Sequence, residues 1–307
     1  MGEHLITAER REKLLRWVSI ASISVAIILV VTKLGAWWYS DSVSLMASLI
    51  DSVMDAGASL INFLAIRYAL KPADDDHRFG HGKAEALASL LQSILIALSS
   101  VFLLFYAIDR IRNPAELNFA SIAIVVMALS LVLTISLVMF QRYVVKRTAS
   151  TVVSADSLHY LSDILANIAV IVALVLAGYG FEGVDAWLGV LIGFYIAYSA
   201  WEIASEAIDL LLDKELDDET RERICQQVRS VPKVIGLHDL RTRDSGGVVF
   251  VQMHLELPDQ MPLIEAHQIA DQVEASVMAL FPNAEVLVHQ DPISVVPEAH
   301  PLPTEES

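Results

Sequence analysis

The chain has 307 residues, 55% of them hydrophobic, a mean hydropathy of +0.53 and a formal charge of -16. That apolar content exceeds what one soluble core of this length needs, and it arrives in blocks of about 20 residues, the length that crosses a bilayer. The acidity excludes a nucleic-acid partner, which would need clustered Lys and Arg, and a lone Cys225 excludes an internal disulfide or a thiolate metal cluster.

The opening segment, MGEHLITAERREKLLRW, is too charged to be an apolar core, and no small-residue cleavage pattern follows the first apolar run, so that run is expected to stay as a span. Apolar stretches at 17–38, 43–68, 84–112, 118–144, 152–177 and 184–212 predict six transmembrane helices. Arg10, Arg11, Lys13 and Arg16 precede the first span; Arg67, Lys71, Arg78 and Lys83 follow the second; Arg142, Lys146 and Arg147 follow the fourth. The connections YSDSVS and GYGFEGVD carry no basic residue, and only Arg110 and Arg112 oppose the trend, so both termini are expected in the cytoplasm. Gly35 and Gly57 are expected as close-packing points between helices.

In the second span, SLIDSVMDAGASLINF places Asp51 and Asp55 four residues apart. Four residues turn about 400°, so both carboxylates share one helical face. Two such anions persist in a low-dielectric interior only if they face water, share a proton or hold a cation. The fifth span repeats the spacing with His159 and Asp163 in DSLHYLSDILANIAV. Facing each other, the two helices would present three carboxylates and an imidazole to one point, a set suited to a tetrahedral divalent ion. Imidazole with carboxylate and no thiolate favours zinc, admits iron, manganese or cadmium, and disfavours copper(I). The competing reading is that these polar groups only hold helices together. Asp156, near the start of the same span, is expected to cap the helix or face solvent.

Between the second and third spans, KPADDDHRFGHGK offers Asp74, Asp75, Asp76, His77 and His81, with Gly80 and Gly82 beside the last histidine. Asp74, His77 and His81 have a spacing that can bind metal; it equally describes a solvated cytoplasmic loop.

After Leu212 the composition turns to DKELDDETRER, which marks a soluble domain from about 213 to 293. ELDDETRERICQQVRSV has helical spacing and holds Cys225 as a partly buried helix residue; VIGLHDLRTRD and VVFVQMHLELP flank Ser245-Gly246-Gly247 as a hairpin. PLIEAHQIADQVEASVMALF reads as a second helix opened by Pro262, and AEVLVHQDPI as a last strand. The order α-β-β-α-β predicts a three-stranded sheet layered against two helices. Val249, Val251, Met253 and Leu255 form the apolar face of the second strand, leaving His254 on the polar one; His289 and Asp291, two apart, share a face of the last. The tail 294–307 is expected to be disordered.

With two intramembrane pairs, six spans, a histidine-bearing loop and this tail, the chain resembles the cation diffusion facilitator family, most nearly its bacterial zinc and iron exporters. The resemblance covers roughly 10–293 and is carried by SLMASLIDSVMDAGASLINF, KPADDDHRFGHGKAEALA and SADSLHYLSDILANIAV. It implies a cytoplasmic segment 1–16, a transport domain 17–212 and a metal-binding dimerisation domain 213–293. It implies a transport site of Asp51, Asp55, His159 and Asp163, a loop site of Asp74, His77 and His81, and a cytoplasmic binuclear site of His238, His254, His267, His289 and Asp291. Lys83 and Asp213 would form a charge interlock at the membrane surface. The expected protein is a homodimer in the bacterial inner membrane, exporting Zn2+, or Cd2+ or Fe2+, against protons by alternating access, with His159 as the proton exchanger. It is a transporter rather than an enzyme. The alternatives are a membrane-bound metal sensor, which would not need intramembrane ligands, and an intramembrane metalloenzyme, against which stands the absence of H-E-x-x-H.

Overall fold

A computed structural model describes residues 7–40, 43–112, 121–178, 184–281 and 283–296. Six long helices come first: α1 (Ala8–Ser40), α2 (Val43–Ala69), α3 (Lys83–Arg112), α4 (Ser121–Thr148), α5 (Thr151–Gly178) and α6 (Val184–Leu211). All of them have the length of a span, and α1, α2, α3, α4 and α6 also contain a strongly apolar window. The first half of α5 is diluted by Asp156, Ser157, His159, Ser162 and Asp163. The fold is a six-helix transmembrane domain followed by a cytoplasmic α+β domain.

The first helix starts earlier than the apolar run. Arg10 to Arg16 are helical, supported by the i,i+4 ion pairs Lys13–Glu9 and Arg16–Glu12. Arg11 reaches further, pairing with the buried Glu85 of α3 at 3.3 Å and donating Nε to Thr148 O at the end of α4. Between α4 and α5, Ala149 adopts a left-handed φ of 49°, and Ser150 Oγ accepts from Val153 N, capping the start of α5. This tight turn makes α4 and α5 antiparallel neighbours. Helix α5 also packs on α3 and α2 and so occupies the middle of the bundle.

Gly35 and Gly57 are not close-packing points: a Cβ added at either meets nothing within 4 Å. The close approaches fall on α6, where a Cβ at Gly193 would stand 2.7 Å from Leu104 Cδ2 and one at Gly189 3.1 Å from Ala107 Cβ.

The chain divides into two compact units at Ile208 and Asp209. The second contains α7 (Asp218–Arg229), β1 (Gly236–Asp244), β2 (Val249–Leu257), α8 (Leu263–Leu280), β3 (Glu285–Pro292) and a 3-10 turn at Ile293–Val295. Asp217 caps α7, its carboxylate accepting from Thr220 N at 2.8 Å. The sheet order is β1-β2-β3, with β2 antiparallel to β1 and parallel to β3. The hairpin turns on Gly246 and Gly247, both with φ above +60°, and Gly247 N donates to Asp244 Oδ1. Val251, Met253 and Leu255 pack with Ile224, Val228, Val273 and Val277 of the two helices. Cys225 lies in that core, where burial pushes its thiol above the ordinary range. After β3, Ser294 N of the 3-10 turn donates to Asp259 Oδ1. Residues 297–307 lie outside the described residues.

Candidate metal centres

The four-residue repeats on α2 and α5 meet inside the bundle. His159 Nε2 lies 2.9 Å from Asp55 Oδ1, and ligand atoms of Asp55, His159 and Asp163 all fall within 4.8 Å of one another. Each of the three is half-buried. Ser162 and Asn167 bond back along α5, Ser162 Oγ donating to the backbone O of His159 and Asn167 Nδ2 to that of Asp163. Asp51 stands one turn before Asp55 on the same face of α2 but is exposed and outside this compact group.

Asp156 neither caps α5 nor faces solvent. It is buried, because α5 begins a full turn earlier and turns this residue inward toward polar groups on neighbouring helices. Asn62 Nδ2 of α2 donates to Asp156 Oδ1 at 3.0 Å, and Gln141 Nε2 of α4 to Oδ2 at 2.7 Å. Asn62 also donates to Gln92 Oε1 of α3, and Gln141 to Ser22 Oγ of α1. A carboxylate one turn from His159 thus joins five helices. Sequence reasoning missed the partners because Asn62, Gln92 and Gln141 sit singly in apolar runs, and only the fold puts them together. The lone intramembrane polar residue is the signal that could have found them.

In the 2–3 connection, Asp74 Oδ1 accepts from His77 N at 2.7 Å and Asp76 N at 3.1 Å, and Gly80 turns the chain at a φ of 79°. The His77 N–H holds the Asp74 carboxyl below its ordinary value, more than burial raises it. His77 Nδ1 and the buried His81 Nε2 each lie 3.2 Å from Asp74, and the two rings are 4.5 Å apart. All three offer ligand atoms within 4.8 Å of one another. Asp75 instead pairs with Arg78 at 3.6 Å.

In the cytoplasmic domain, register makes the third cluster. His238 pairs with His254 across β1 and β2, and His254 with His289 across β2 and β3, so three imidazoles line up on the face opposite the apolar core. Asp291 reaches into this row: its Oδ2 lies 2.7 Å from His254 Nδ1 and 3.6 Å from His238 Nε2, and its Oδ1 3.2 Å from His289 Nε2. A bulge in β1 after His238, with Asp239 at a φ of 48°, points Asp239 toward His254 at 3.9 Å. Glu256, which the sequence did not single out, bonds His238 Nδ1 at 3.0 Å; its place two residues after His254 on the strand was the available signal. His267 is exposed on α8, 3.7 Å from Asp271, and is not brought into this cluster. Asp213 pairs with Arg243 of its own unit at 3.3 Å, while Lys83 opens α3 in the other.

Residues 19–212 match the cation efflux transmembrane domain, and 216–293 the cytoplasmic domain of cation efflux proteins. This chain belongs to the cation efflux, or cation diffusion facilitator, family. A relative named cation-efflux pump FieF, from Escherichia fergusonii, is 49% identical over 285 residues, covering 93% of this chain and 95% of its own. The protein of the same name from Escherichia coli O1:K1 / APEC is 48% identical over the same length. A solved structure of the putative zinc transporter CzrB in its Zn form is 29% identical, covers 28% of this chain and 99% of its own, and has a TM-score of 0.26. The cation efflux family are transporters, not enzymes, and this chain is a multi-span cation efflux transporter. Each of the three clusters lies in a segment that the family matches cover.

Proposed function

We propose that the protein exports zinc from the cytoplasm across the inner membrane in exchange for protons, with cadmium and ferrous iron as further substrates. The observation that carries this reading is the Asp55–His159–Asp163 cluster inside membrane helices; in the proposed loaded state Asp51, one turn away on the same face of α2, is the fourth donor. Two carboxylates and an imidazole offer oxygen and nitrogen donors within 4.8 Å of one another, a donor set that borderline divalent ions take. The same atoms bind protons. Neutral imidazole can take a cation through Nε2, whereas imidazolium cannot, so protonation of His159 from the more acidic side expels the ion. The site then carries protons back as the helices rock between inward-open and outward-open states.

The other two clusters bind the same ion without carrying it. Asp74, His77 and His81 hold it in the loop; His238, His254, His289 and Asp291 hold it on the cytoplasmic sheet, and with His267 they form a binuclear site whose metal ties two copies together in a homodimer. The test is zinc flux in proteoliposomes with and without a pH gradient. Flux that the gradient accelerates supports antiport; zinc binding without flux would leave a sensor and sink the transport reading.

A further inference from the structure

The α2 stripe that carries the acidic residues also carries an anchored positive charge. Ser48, Asp51, Ser52 and Asp55 are spaced i, i+3, i+4 and i+7, one continuous helical face. Lys33 of α1 donates its Nζ to Ser48 O at 3.2 Å and to the buried Ser52 Oγ at 2.6 Å, so its ammonium is fixed beside Asp51 on that stripe. Lys33 lies in the apolar run VVTKLGAWW of a membrane span, where a charged side chain is costly unless it serves an ion path.

We propose that Lys33 is the resident counter-charge of the cation site and tunes its affinity to a divalent ion that must also be released. This rests on the export reading above. Asp51, Asp55 and Asp163 supply three negative charges and Lys33 one positive, so with neutral His159 a dication brings the site to zero. Without Lys33 the loaded site would keep a net negative charge in a low-dielectric interior, holding its cation more tightly and releasing it more slowly. Lys33 touches none of the reacting atoms and acts through Asp51; it is a positioning and charge-setting residue.

Its role as charge is separable from a role as hydrogen-bonding anchor between α1 and α2. The full-length protein in proteoliposomes is assayed for zinc flux at pH 8, where proton competition is least, as wild type, Lys33→Met, Lys33→Gln, Lys33→Arg and the exposed control Lys146→Met. The expected result is a KM about tenfold lower, with a lower Vmax, for both Met and Gln variants. Arg returns KM toward wild type, and the control does not move it. If Gln keeps the wild-type KM, or if Arg behaves like Met, the charge role is overturned. Should the single neutral variants fail to fold, Asp51→Asn/Lys33→Met removes both charges together: recovery of a monodisperse protein supports the balance, and continued misfolding overturns it. Absence of flux in the wild type would instead remove the export reading itself.

Discussion

His159 and Asp55 lie 104 residues apart in sequence, and Nε2 of one stands 2.9 Å from Oδ1 of the other. The pair bridges α5 and α2 at the point where two four-residue repeats face each other, and it is the shortest link in the intramembrane cluster. Removing either partner leaves a half-buried polar group without its mate and deprives the cation of a donor. Asp55→Ala and His159→Ala are each expected to reduce zinc/proton exchange to the level of protein-free liposomes while the protein stays folded. His159→Asp keeps a donor but replaces nitrogen with oxygen, so it is expected to broaden metal choice toward harder ions. Flux of zinc, cadmium and manganese into the same vesicles checks both.

Asp156 makes a different kind of demand. Its carboxylate receives N–H groups from Asn62 and Gln141, and truncation to Ala leaves one N–H of each amide buried without its acceptor, while Asn62 still donates to Gln92 and Gln141 to Ser22. Such groups cost about 1–3 kcal/mol, so Asp156→Ala is expected to lower the thermal midpoint of the detergent-solubilised protein by several degrees. Asp156→Asn should cost less. The amide oxygens of Asn62 and Gln141 have no partner among the described residues, and either amide can turn to accept from the new N–H. A melting curve in which Asn is as damaging as Ala would contradict this account.

The sequence disclosed what is periodic. Six apolar blocks, two i,i+4 pairs and the alternation in β2 put the helices, the α2/α5 cluster and the polar placement of His254 within reach before any coordinates. What it did not disclose depends on contacts between distant segments. Asp156 looked like a cap because it stands near the start of the fifth span, while its partners come from α2 and α4. Gly35 and Gly57 looked like packing points because small residues suit helix contacts, yet the close approaches occur at Gly189 and Gly193. Asp51 follows from spacing, but helical phase alone does not fix how far its side chain stands from Asp163. His267 shares the histidine pattern of the soluble domain and still lies apart, because α8 covers the apolar face of the sheet while the three aligned histidines occupy the other.

The loop cluster gives a prediction in pH. Asp74 is exposed, and the His77 N–H lowers its carboxyl below the ordinary value. A depressed folded pKa means that the turn is stabilised above the unfolded value, about 3.9, and that this contribution is lost as pH falls through the lower folded value. The 72–82 segment is therefore expected to keep its protection from hydrogen exchange at pH 5 and to lose it only below about pH 4. Asp74→Ala should show the unprotected behaviour at both pH values. Exchange measured by mass spectrometry on the metal-free protein decides the matter; equal protection in wild type and variant would show that Asp74 does not order the turn.

On the cytoplasmic sheet, three strands each contribute one histidine at a single register level, and Asp291 spans all three. An ion bound there by the folded state alone stabilises it by about 2.7 kcal/mol at a hundredfold excess over its Kd. Zinc is therefore expected to raise the thermal midpoint of the cytoplasmic domain in the full-length protein, and chelation to lower it. His254→Ala removes the central member of the row and should abolish that shift, since both neighbours reach Asp291 from either side of it. His267→Ala, on the opposite layer, should leave the shift within one protomer largely intact and instead weaken self-association in zinc, read by sedimentation. A zinc shift lost equally in both variants would place His267 in the intraprotomer set and require α8 to move.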